Sequence, residues 1–214
     1  SSTALLLFAL QDFKADVNFF LPHRVNDGYG LSEKTILKAK RAQYSLIITV
    51  DNGTSAFDAL KQAKNQEIDV IVTDHHQPKE IPEGAFCIVN PHLPACQYPF
   101  KHLAGVGVIF KIVVELYKRR SKAIPQKIYE LFLFGTVADV MPLVEENRYW
   151  VAYALSKINQ NTSHAIQLLK TNAKLLTEKK LTAEDIAFSL APQLNALGRL
   201  SDPRNGVLFF IDDN

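Results

Sequence analysis

The chain is expected to fold as an α/β protein, a parallel β-sheet flanked by helices and followed by a mostly helical segment. Three observations predict this. In the first half, short apolar and β-branched runs alternate with helical patterns at the spacing of βαβ units. Each of those runs ends in a cluster of Asp, Asn or His. In the second half, apolar residues recur every three or four positions.

The elements follow in order. Small hydroxyl residues (Ser1-Ser2-Thr3) precede the apolar run 4–10, which reads as a helix start. Residues 16–21 read as a strand, and 32–42 as a helix capped by Ser32 with Glu33 in its first turn. SLIITV (45–50) is a strand of buried type, ended by Asp51-Asn52-Gly53. A helix over 54–64 leads to DVIVT (69–73), ended by Asp74-His75-His76. A further strand, 86–89, is ended by Asn90-Pro91-His92. Helical spacing then covers 105–119, 125–140, 149–159, 163–170 and 183–190, with Ser163 and Thr182 as caps and Pro125 in a first turn. The Lys-rich stretch 168–180 reads as a solvated connection.

Composition excludes several classes. With 47% hydrophobic and 21% charged residues among 214, the chain is neither disordered nor a membrane protein. No apolar run approaches the ~18 residues of a spanning helix. No basic stretch precedes the apolar start, so no signal peptide is expected. A net charge of +2 is too mild to announce nucleic acid and too balanced to exclude it. Cys87 and Cys96 make no disulfide framework, and reduced thiols fit a cytoplasmic setting. Both ends read as cuts through a longer protein.

Function is sought where strands end, because ligands of open α/β sheets bind at the carboxyl edge. Asp51 and His75 follow strands that would lie about 4.8 Å apart as neighbours, so they can converge. Carboxylate and imidazole together suit Mn²⁺, Mg²⁺ or Zn²⁺. An Asp before Asn-Gly also serves as a plain turn, but two adjacent His after Asp74 are harder to dismiss. Asp139 closes an apolar helix, where a carboxylate opposes the helix dipole and a cation would offset the cost. Arg24 precedes the Gly-rich loop 26–31, which can present backbone N–H groups to phosphate or form a plain tight turn, and Arg199 follows Gly198, where it suits a bidentate phosphate contact or a surface salt bridge. Gly105 and Gly107 lack the third glycine of a dinucleotide fingerprint, and close helix packing accounts for them. His92, His102 and His164 take loop or surface roles, with His92 near the cleft. There is no dense aromatic platform, although Tyr29, Tyr98 and Phe100 sit in loops that could stack bases.

Several stretches, taken together and in order, resemble the DHH phosphoesterase superfamily and within it the bacterial single-strand-specific 5′→3′ exonucleases. They are PHRVNDGYGLS (22–32), TVDNGTS (49–55), VTDHHQP (72–78), VNPH (89–92), LAGVGVIFK (103–111), GTVADVMPL (135–143) and LAPQLNALGRLSDP (190–203). The resemblance implies a DHH-type domain over 1–143 and a helical continuation over 144–214. It implies that Asp51 bridges two divalent ions, Mn²⁺ or Mg²⁺, and that His75 and Asp139 ligate one of them. His76 would face the scissile phosphate, with Asp74 orienting the histidines. Arg24 and Arg199 would hold phosphates near the 5′ end of single-stranded DNA. The family's Asp-x-Asp motif would lie upstream of Ser1, and its DNA-gripping second domain and nucleic-acid-binding barrel are not recognisable in the sequence.

The activity so implied is two-metal phosphodiester hydrolysis in DNA repair and recombination, with a single-strand-binding protein and a helicase as further partners. Two alternatives stand beside it. One is a DHH hydrolase of short oligonucleotides or cyclic dinucleotides. The other is a non-catalytic replication scaffold on the same fold, which would not need to keep Asp51, His75, His76 and Asp139.

Overall fold

The structure, a computed structural model, describes residues 1–22, 30–176, 178–200, 202 and 204–211, without the side chains of 197–200. In chain order its elements begin with α1 (Ser2–Asp12), α2 (Glu33–Arg41), β1 (Leu46–Val50), α3 (Phe57–Asn65), β2 (Asp69–Thr73) and β3 (Cys87–Val89). Then come α4 (Gly105–Arg119), α5 (Gln126–Ala138), α6 (Glu145–Gln160), α7 (His164–Asn172), α8 (Ala183–Asp185), a π-helical turn (Ile186–Leu190), α9 (Ala191–Leu200) and α10 (Arg204–Ile211). The α/β class is therefore as expected. Two compact units divide the chain: Phe20–Val108, and the combined segments 1–19 and 109–214.

The first unit holds the sheet. Its strands are parallel in the order β1-β2-β3, with Val50 opposite Thr73 and Thr73 opposite Val89. All three therefore end at one level. The ladder runs one residue further on each side of β2: Asp51 N–H donates to Thr73 O (2.9 Å) and Asp74 N–H to Val89 O (3.1 Å). Ile36 of α2 and Ala59, Leu60 and Ala63 of α3 bury their apolar faces with Val70 and Val72 of β2. Ser32 caps α2 as expected, its hydroxyl accepting from Thr35 N–H.

The second unit is helical. α5 is buried at Ile128 and continuously from Glu130 to Val137, so it is apolar on nearly every face and forms the centre. α1 and α6 pack on it, and Phe134 meets Phe210 of α10 at 5.5 Å. The buried Tyr117 hydroxyl donates to Asp12 (2.7 Å), tying α4 to the end of α1.

Four expectations need correction. Residues 16–21 form no strand; Asp16, Asn18 and Phe20 are exposed, and Phe19 N–H turns to Asn18 Oδ1. Among the described residues β1 pairs with a strand on one side only, and Leu46 is 47% exposed, so it is not a fully buried strand here. The helix expected over 183–190 passes through a π turn, with Ala191 N–H donating to Ile186 O, into α9, because the ring of Pro192 would clash with the carbonyl of Phe188 in a regular ladder. The supposed connection 168–180 begins inside α7, where Lys170 is buried and its ammonium donates to Lys179 O (2.9 Å). Among the described residues, no helix is long and apolar enough to cross a membrane.

Candidate metal centre at the carboxyl edge of the sheet

Because the three strands end in register, the residues that follow them, Asp51, Asp74 and Asn90, stand side by side. Each has a different task. Asp51 leaves β1 with a left-handed backbone (φ 64°), a conformation that Asp tolerates better than most residues. Gly53 completes the turn at φ 112°, where an added Cβ would lie 2.8 Å from Thr49 Oγ1. The turn aims the Asp51 carboxylate at His75, with Oδ1 3.1 Å from Nε2. Donor atoms of Asp51, His75 and His76 all lie within 4.8 Å of one another.

Asp74 is the organiser. It is 2% exposed, and its Oδ1 accepts from His75 N–H (2.8 Å) and His76 N–H (3.2 Å) while contacting His76 Nδ1 at 2.6 Å. Its Oδ2 accepts from Thr54 N–H (3.0 Å). Burial pushes this carboxyl up, but the bonds from the His76 ring, from Thr54 and from His76 N–H outweigh it and hold the group below its ordinary 3.8. A depressed carboxyl contributes stability that is present in full above the unfolded value and is lost as pH falls through the folded one. Asp74→Asn should therefore flatten the acid dependence of the urea midpoint between about pH 5 and pH 2, the range that runs from just above the unfolded value down through the lowered folded one. An acid limb as steep in the variant as in the wild type would disprove this role.

Asn90 completes the layer, and the sequence reading missed it as a site residue. Its Nδ2 donates to Thr54 Oγ1 (3.1 Å) and His76 O (2.9 Å), and its Oδ1 accepts from His92 N–H (2.9 Å). Its place directly after the third strand was the available signal. Burial foremost, and then the nearby His75, Lys101 and His102, hold His92 below the ordinary histidine value.

Gly105 was also missed. As the first residue of α4 it lies so close to Asp51 that an added Cβ would be 2.2 Å from Oδ1 and 2.4 Å from Cγ. Close packing was the right reading of this glycine; its neighbour could not be named from sequence.

The other expected site residues belong to the other unit or lie outside the described residues. Asp139 is the exposed C-cap of α5 in the helical unit. Arg199 lies on α9, its side chain outside the described residues, and Arg24 lies outside them altogether. Phe100 is 5% exposed and unavailable for stacking, and Tyr98 is half-buried. Tyr29 falls outside the described residues.

The residues present fit a divalent cation. A carboxylate oxygen and imidazole nitrogens form the donor set, with no thiolate among them, which suits Mn²⁺ or Mg²⁺ when further carboxylates join. The backbone cradle formed by Gly105 leaves the Asp51 carboxylate room that any side chain would fill.

Comparison with known proteins points the same way. Residues 1–136 match the DHH family, N-terminal domain. Over 99% of its length the chain is 40% identical to the single-stranded-DNA-specific exonuclease RecJ of Bacillus subtilis, and it spans 27% of that protein. It is 37% identical, over its whole length, to the RecJ of Escherichia coli, spanning 39% of it. A crystal structure of exonuclease RecJ bound to manganese superposes on the whole chain with a TM-score of 0.85 and 32% identity, and 53% of that structure is covered.

Proposed function

This chain belongs to the DHH family, and on that premise we propose that it is the core of a single-strand-specific 5′→3′ exonuclease acting in DNA repair and recombination. The observation that carries the proposal is the convergence of Asp51, His75 and His76 at the carboxyl edge of the sheet. Residues 1–143 are read as the DHH-type domain and 144–214 as its helical continuation. Asp51, His75 and Asp139 would hold the Mn²⁺ or Mg²⁺. When bound, the ions supply Lewis-acid stabilisation of phosphoryl charge and lower the pKa of the attacking water.

The chain's own residues do the rest. Asp74 fixes the His76 ring through Nδ1, leaving Nε2 outward on a side chain that is 55% exposed. With the ring protonated, Nδ1–H donates to Asp74 while Nε2–H can donate to a phosphoryl or leaving oxygen. Arg24 and Arg199 are assigned to the strand's phosphates near its 5′ end, where planar guanidinium groups suit bidentate contacts. Both cysteines are free thiols, which supports a cytoplasmic setting. A single-strand-binding protein and a helicase are the partners such an activity would work beside.

The test is Mn²⁺-dependent digestion of a 5′-phosphorylated strand, alone and annealed, by this chain and by one extended upstream. The expected result is release of nucleotides from the 5′ end of the single strand, with the duplex spared. Equal attack on duplex, or preference for dinucleotides over long strands, would replace this reading with a different hydrolase.

A further inference from the structure

The helical unit contains an aromatic cluster that the metal centre does not use. The only Trp and three of the seven Tyr gather on one face of α5 and α6. Tyr149 and Tyr153, one turn apart on α6, have rings inclined by only 13° with centroids 6.4 Å apart. Trp150 stands edge-on to both, at 5.0 and 5.9 Å. Tyr129 of α5 supports Tyr153 from beneath at 5.1 Å, and the fully buried Phe110 backs Trp150 at 5.0 Å. The expectation that the chain lacks an aromatic platform is thereby corrected. Tyr149, Trp150 and Tyr153 stand together in one stretch of α6, but the support from Tyr129 and Phe110 comes from elements distant in sequence.

The platform has an open side. Tyr149 is 61% exposed, and its ring lines a shallow depression with Glu145, Arg148, Ala152 and Tyr153. Ala152 keeps that surface low between the rings. Two cations flank it: Arg148 in the depression, and Lys157, whose ammonium lies 5.4 Å from the centre of the Tyr153 ring. Glu145, at the opposite end of the same row, is the one acid in the lining. Burial foremost, and then Tyr153, push the Tyr129 hydroxyl up to about 12, so the supporting ring stays neutral. A rigid aromatic surface edged by more positive than negative charge suits a planar ring joined to an anion. An unpaired nucleobase with its phosphate has that chemistry.

We infer that the Tyr149–Tyr153 face of α6 is a stacking site for an unpaired base of single-stranded nucleic acid, with Arg148 and Lys157 beside its phosphates. The choice of nucleic acid rests on the exonuclease reading; the site itself rests on the ring geometry.

Trp150 is a built-in reporter, since no other Trp contributes to the fluorescence. A short oligothymidylate, titrated into the chain without divalent metal so that nothing is cleaved, should quench it. An abasic strand of equal length should not. Tyr149→Ala should weaken strand binding roughly tenfold, as loss of one stacked base does, while Tyr149→Phe binds like wild type. Arg148→Ala should lower the salt slope of log affinity by about 0.7.

Unchanged affinity in Tyr149→Ala, or equal quenching by the abasic strand, overturns the proposal. So does a Trp150 signal that responds to a proline-rich peptide and not to the strand. These results are independent of the metal centre: a chain that digests single strands normally but binds them equally well as Tyr149→Ala loses the stacking site alone.

Discussion

Asp51→Asn should abolish tight Mn²⁺ binding and, with it, cleavage, while leaving the chain folded. Asparagine is chosen because it also tolerates the left-handed backbone that Asp51 adopts at φ 64°. It also keeps the volume beside Gly105, so what it removes is mainly the charge. Loss of a hydrogen-bond partner behind a metal ligand costs about 10–100-fold in affinity; removing the carboxylate itself should exceed that. Titration calorimetry with Mn²⁺ checks the claim, beside thermal melting in metal-free buffer to confirm that the fold survives. Wild-type affinity in the variant would remove Asp51 from the centre and revive the scaffold reading.

Much of this site was legible because it depends on short-range pattern. DVIVT marked β2 to the residue, and Asp-Asn-Gly and Asp-His-His marked where strands stop and ligands begin. Parallel pairing then puts successive strand ends at one edge, which is why Asp51 and His75 could be brought together on spacing alone. What stayed hidden depends on register and on contacts distant in sequence. Asn90 matters because β3 ends level with β2, and a residue after a three-residue strand gives little warning of that. Residues 16–21 have strand-like alternation yet no paired neighbour among the described residues, and propensity cannot supply one. Tyr129 and Tyr153 meet only when α5 packs on α6. Asp139 shows the limit from the other side, since its motif names a role while its place at the C-cap of α5 gives only a local conformation.

Gly105→Ala is the second large effect expected, and its sign is set by competition between two terms. Helix propensity favours alanine over glycine by up to about 1 kcal/mol. Against that, the new Cβ would stand 2.2, 2.4 and 2.6 Å from Oδ1, Cγ and Cβ of Asp51. Those separations are far inside contact distance, so something must move, and overpacking of this kind costs about 1–3 kcal/mol. The Asp51 backbone cannot yield easily, because its N–H is bonded to Thr73 O at 2.9 Å. The carboxylate must swing off His75, or the first turn of α4 must retreat. The overlap therefore outweighs propensity, and the variant should lose both stability and at least tenfold in Mn²⁺ affinity. A double-mutant cycle separates this from any general effect on α4. Asp51→Gly accepts the same backbone angle and removes the side chain, so Gly105→Ala made in that background should be neutral or stabilising. If Gly105→Ala costs as much stability there as in the wild type, the glycine serves the helix and not the carboxylate. If the single variant binds Mn²⁺ normally, the close approach of α4 to Asp51 has no bearing on the metal.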